Sequence, residues 1–197
     1  MGWLTLRRNQ ALEGGATRPS PLTLGRYDEN MKEDSLSKPA IFISYRWSDT
    51  RWFAVLLTIS IKQRLPSLDV FLDVASIEPG LDFEAVLATT LDRAQVLLAL
   101  IGRDWLTAQD QAGRRRLDLE TDWVRVEITR ALERSIRVIP VLVDDAEMPR
   151  PEFLPSPLSR LSTRQKYSVT FEQNETGIDS ILGILAKTCK VPLTTAA

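Results

Sequence analysis

From residue 39 onward, short apolar runs rich in β-formers alternate with stretches of helical periodicity, and this alternation narrows the fold more than any other feature. The runs are AIFIS at 40–44, LDVFL at 68–72, QVLLALI at 95–101, RVIPVLV at 137–143 and a weaker fifth at 166–170. Between them, residues 50–65 carry Trp52, Phe53, Val55, Leu56 and Ile59 at helical spacing. Further helices are predicted over 82–94 with Asp82 as N-cap, over 122–132 (DWVRVEITRAL) with Asp122 as N-cap, and over 175–187. Strands apolar on both faces, each followed by a helix, predict an α/β fold: a flavodoxin-like doubly wound, five-stranded parallel sheet with helices on both faces. Pro140 removes one ladder donor from the fourth run, which predicts a place near an edge or a bulge there.

Residues 1–37 mix Gly, Pro, Ser, Asn and charges of both signs without periodicity and read as a flexible extension; 38–190 form the domain and 191–197 a tail. The chain of 197 residues contains no histidine, which removes Ser-His-Asp and Cys-His nucleophile systems and histidine metal sites. Its one cysteine, Cys189, can form neither an intrachain disulfide nor a thiolate cluster, so no metal is expected and a reducing cytoplasm fits best. A formal charge of -1 supplies no global field for nucleic acid or anionic lipid. The longest apolar run, 96–101, is far short of the roughly 20 residues a membrane span needs, so no membrane association is expected. Met1-Gly2 is followed by Leu6 where an acylation signal wants Ser or Thr.

In a doubly wound sheet ligands bind beyond the carboxyl ends of the strands, which selects the residues to inspect. They are Tyr45, Arg46, Trp47, Ser48 and Asp49 after the first strand, Asp73 after the second, Arg103, Asp104 and Trp105 after the third, and Trp123 and Glu127 on the helix beyond. Such a set can stack a flat heterocycle, neutralise phosphate and stabilise a cation. Neither GxGxxG nor a P-loop occurs. Glu127 alone would read as a surface charge near Arg130 or Arg134. However, it lies four residues after Trp123 on the face that turns Ile128 and Leu132 inward, which places it at the rim of the core and partly out of water. Arg114, Arg115 and Arg116 read as a solvated loop, since no aromatic is interleaved.

Taken in order, AIFISYRWSD, VFLDVASIEPGLDFE, VLLALIGRDWL, DWVRVEI and VIPVLVD resemble the successive sequence boxes of Toll/interleukin receptor (TIR) domains, over about residues 39–190. The family includes scaffolds that signal by self-association and enzymes that cleave NAD at the nicotinamide-ribose bond. The enzymes carry a glutamate on the helix after the third strand, commonly as WxxxE, which here is Trp123 to Glu127. The resemblance further implies that Tyr45, Arg46, Asp73 and Phe83 border the pocket. It implies too that Glu78, Pro79 and Gly80 belong to a loop through which such domains assemble. Trp47 stands where some members have a second basic residue, which weakens a phosphate contact and favours base stacking.

The implied function is NAD+ cleavage, with NAD+ as substrate and no cofactor, in a protein that assembles with copies of itself or other TIR proteins in innate or antiviral signalling. The product could be ADP-ribose, a cyclic isomer or a base-exchanged nucleotide. One carboxylate suffices chemically, because nicotinamide leaves as a neutral base and needs no general acid; what is required is negative charge near a ribose that becomes cationic. The alternative is a scaffold that makes TIR-TIR contacts without chemistry. A phosphoacceptor receiver shares the fold but needs an acidic pair after the first strand, where Tyr45-Arg46-Trp47 stands.

Overall fold

The computed structural model describes residues 38–72 and 83–194. Five strands, β1 (Ala40–Ser44), β2 (Asp69–Leu72), β3 (Ala94–Ile101), β4 (Arg137–Val143) and β5 (Tyr167–Val169), alternate with four helices, α1 (Trp47–Arg64), α2 (Phe83–Arg93), α3 (Trp123–Glu133) and α4 (Asn174–Cys189). The strands form one sheet in the order β2-β1-β3-β4-β5. Every pairing is parallel. This is the doubly wound architecture that the alternation predicts.

The period of two along each central strand divides its side chains between two cores. Ile41 and Ile43 of β1, Val96, Leu98 and Leu100 of β3, and Ile139, Val141 and Val143 of β4 pack with Phe53, Leu57 and Ile61 of α1 and Ile181, Leu182 and Leu185 of α4. The alternate residues Phe42, Leu97, Ala99, Ile101, Val138 and Leu142 pack with Leu87 and Leu91 of α2 and Val124, Ile128 and Leu132 of α3. Each fully buried aliphatic side chain of this kind contributes about 1.5–3 kcal/mol of transfer free energy. Cys189 lies in the first core, where burial pushes its thiol pKa up and leaves it a poor nucleophile, a structural residue.

Pro140 lies near an edge, as its missing donor predicts: β4 is next to last in the sheet, between β3 and the edge strand β5. The sheet tolerates proline because β5 is three residues long and pairs only with Val141, Leu142 and Val143, so no strand flanks Pro140 on that side. α1 begins earlier than its apolar spacing suggests, at Trp47, and is kinked at Thr50 (φ -120, ψ 18). Among the described residues no helix is long and apolar enough to cross a membrane.

Candidate functional site at the carboxyl ends of the strands

α3 is set by its cap. Asp122 accepts a hydrogen bond from the backbone N–H of Arg125 at 3.1 Å, the N-cap its sequence position predicts. The same carboxylate is gripped by Arg46, whose Nη1 and Nη2 donate to Oδ2 and Oδ1 at 3.0 and 3.1 Å. Nε of Arg46 donates to the carbonyl of Trp105 at 3.1 Å. Arg116 adds a further contact to Asp122 at 3.1 Å. A bidentate fork thus ties the end of β1 to the start of α3 and to the turn after β3. The guanidinium is wholly interior, with the whole residue 2% exposed.

Arg46, expected to face phosphate, engages protein partners in this structure. Its Nε, Nη1 and Nη2 each donate to Trp105 or Asp122, and these contacts fix the position of α3. Tyr45, expected to border the pocket, packs into the core under α1 and α4, on the opposite face of the sheet from α3. Trp105 is completely buried in the second core and acts as an anchor. Trp47 projects from the first turn of α1 at 61% exposure, with the Arg51 guanidinium 3.6 Å from its ring centroid, so a cation already covers one ring face. Asp73, Glu78, Pro79 and Gly80, the proposed pocket and assembly residues between β2 and α2, lie outside the described residues, as does the side chain of Phe83 at the start of α2.

Glu127 sits in the second turn of α3 with no exposed surface at all, deeper than the rim position its spacing predicts. Trp123, one turn earlier, is 38% exposed, so the WxxxE stretch runs from the surface inward. Two polar groups that the sequence did not single out for this role lie near the same strand ends. The Ser44 hydroxyl, on the last residue of β1, and the Trp105 indole N–H are buried and have no hydrogen-bond partner among the described residues. Leaving such a group unmade costs about 1–3 kcal/mol, which a bound polar ligand or water can offset. Serine inside an apolar strand was the available signal for Ser44. Among the described residues no group of three or more His, Cys, Asp or Glu could hold a metal ion.

The arginine-rich segment before α3 is also more structured than expected. Arg114 pairs with Asp110 at 2.7 Å, Arg115 with Asp118 at 2.5 Å and Arg116 with Asp122, and Gln109 bridges Arg115 through the backbone. Three tandem arginines thus brace one loop. The backbone N–H and side chain of Arg114 hold the Asp110 carboxyl below its usual range, and the Arg115 side chain does the same for Asp118. A depressed folded pKa stabilises the loop at neutral pH, and that contribution disappears as pH falls through the folded value. Protection factors of the amides in residues 110–118 are therefore expected to fall on acidification below about pH 4, before those of the β-sheet do. Uniform loss of protection across loop and sheet would contradict this.

Sequence and structure comparisons agree with this architecture. The sequence model of the family described as TIR domain matches residues 41–182. The NAD(+) hydrolase SARM1 of Danio rerio is 29% identical over 178 residues, which covers 88% of this chain but 23% of that protein. The chain therefore spans about a quarter of its relative's length. Among solved structures, the TIR domains of the activated Roq1 resistosome directly recognising the pathogen effector XopQ superpose with a TM-score of 0.57 at 12% identity, over 75% of this chain and 99% of that one. A prokaryotic SEFIR domain is also similar, with a TM-score of 0.49 at 18% identity over 75% and 98% of the two chains. The chain belongs to the TIR domain family.

Proposed function

We propose that this TIR domain cleaves NAD+ at the nicotinamide-ribose bond, with Glu127 as the catalytic carboxylate. The observation that carries the reading is a carboxylate on α3, buried without any exposure beside the carboxyl ends of the strands and held there by a capped, salt-bridged helix start. A charge in that setting acts through a low effective dielectric, so it stabilises an oxocarbenium-like ribose far more than a solvated carboxylate would. The buried Ser44 hydroxyl and Trp105 indole N–H offer further polar contacts to a ribose or amide. Similarity to a relative named as an NAD(+) hydrolase supports the same chemistry. No general acid is required, which suits a chain without histidine.

Since Glu127 has no solvent exposure, substrate reaches it only after the site opens. We tie that opening to self-association, the mode of action that a resistosome neighbour suggests for this fold. The same burial favours the second reading, a scaffold that assembles without chemistry, because a sealed carboxylate can also be a purely internal charge. The two are separated by incubating the protein with NAD+ over a wide range of concentrations, with and without a crowding agent, and resolving products by mass. Nicotinamide release whose specific rate rises with protein concentration supports an assembled enzyme. No release at any concentration leaves the scaffold.

A further inference from the structure

A cleft of about 490 Å³ opens at the carboxyl ends of the strands on the side covered by α1 and α4, away from α3. Thr50 and Trp52 of α1, the turn after β3, the turn after β4 and the residues between β5 and α4 supply its walls. Three features define its chemistry. Its lining carries five carboxylates, those of Asp49, Asp104, Asp144, Asp145 and Glu172, against one arginine, Arg103. Arg103 is itself engaged, donating to the Asp144 carbonyl at 2.7 Å and lying 3.5 Å from Asp145. Trp52 and Phe171 form an edge-to-face pair, centroids 5.6 Å apart, that gives the cleft an aromatic wall. Lastly, Thr50 lines the cleft at 1% exposure, and its hydroxyl has no hydrogen-bond partner among the described residues.

We infer that this cleft binds a small linear organic amine, such as a polyamine, through its protonated nitrogens. The carboxylates repel phosphate, so the cleft is unsuited to a dinucleotide. The acids do not converge into a group able to hold a metal ion among the described residues. Asp49 and Asp144 are partly spent within the protein, on the backbone N–H groups of Gly102 and Asp104 and of Phe171. Asp104, Glu172 and Asp145, the last within 3.5 Å of Arg103, lie at the exposed rim. Several separated acids suit a ligand with several separated ammonium groups. The aromatic wall takes the alkyl stem and adds cation–π attraction. An N–H donor also gives the Thr50 hydroxyl a partner, which a quaternary ammonium cannot do. The volume lies within the range of small-molecule sites.

The test is a titration of the full chain with spermidine at constant ionic strength, followed through the Trp52 indole N–H resonance and by calorimetry, with tetramethylammonium as a cation that cannot donate. Saturable one-to-one binding of spermidine is expected, with tetramethylammonium weaker by about tenfold or more. The rim variant Asp145→Asn/Glu172→Gln should lose about tenfold in affinity without loss of fold, since both side chains are exposed. Thr50→Val should narrow the gap between the two cations; should that variant not fold, the rim variant decides alone. Non-saturable binding, an unmoved Trp52 signal, or a rim variant that binds as tightly as the parent would overturn the assignment. Glu127→Gln should bind spermidine unchanged, which keeps this site independent of the proposed NAD+ chemistry.

Discussion

Arg46→Ala is expected to destabilise the domain by about 3 kcal/mol, the low end of the range for breaking a buried ion pair by removing one partner. The substitution leaves Asp122 in the interior with the carboxylate that caps α3 stripped of its bidentate donor, and it leaves the Trp105 carbonyl without its side-chain donor. Arg116 still reaches Asp122 at 3.1 Å from a partly exposed position, which is why the low end applies. For a domain with roughly 5–15 kcal/mol of total stability this is a large fraction. Denaturant unfolding should show the midpoint falling with little change in slope. Arg46→Lys should recover only part of the loss, because one ammonium cannot occupy both carboxylate oxygens and the Trp105 carbonyl in a planar fork. The alternative role, a phosphate contact, makes the opposite prediction: unchanged stability and a raised KM for NAD+. A stability change within about 0.5 kcal/mol, the level of an ordinary surface substitution, would rule out the structural role.

That residue also marks the boundary of what local sequence could reveal. The sheet was legible because short apolar runs rich in β-formers, alternating with helical stretches, fit a parallel sheet buried on both faces, and the α3 cap because Asp122 precedes an apolar helical pattern. Arg46 follows a strand among polar residues, and its partner lies 76 positions away, so nothing local distinguishes a buried fork from a solvated charge. The tryptophans fail as a class for the same reason. Trp105, Trp123 and Trp47 have similar neighbours in sequence, yet they are respectively fully buried, 38% and 61% exposed, because the turns that carry them meet different cores. Arg114, Arg115 and Arg116 look like one basic run, but each finds its own aspartate within six residues, a pairing visible in the sequence only when Asp110, Asp118 and Asp122 are read together. Helical spacing correctly turned Glu127 inward but understated its depth: period fixes a direction, while depth depends on the width of the apolar layer that Val124, Ile128 and Ala131 share with β1 and β3.

Glu127 is where depth and chemistry meet, and Glu127→Gln is expected to lower the rate of nicotinamide release by about 10² to 10³ while the domain stays folded. The amide keeps the shape and most of the packing of the carboxylate, so the core around α3 is preserved, but it removes the negative charge. If the charge stabilises a ribose cation only as the bond to nicotinamide breaks, the loss falls on kcat and on kcat/KM alike, and KM moves little. Glu127→Ala should be as inactive and also less stable, since it opens a cavity at a fully buried position. Glu127→Asp offers the sharper discrimination: it restores the charge but draws it back by one methylene, so an electrostatic role allows partial activity whereas a purely packing role does not. Single-turnover measurement at saturating NAD+ separates chemistry from substrate entry, which matters because the parent site must open before it reacts. Activity of Glu127→Gln within about tenfold of the parent would remove this carboxylate from the chemistry and leave α3 as a structural element of a scaffold.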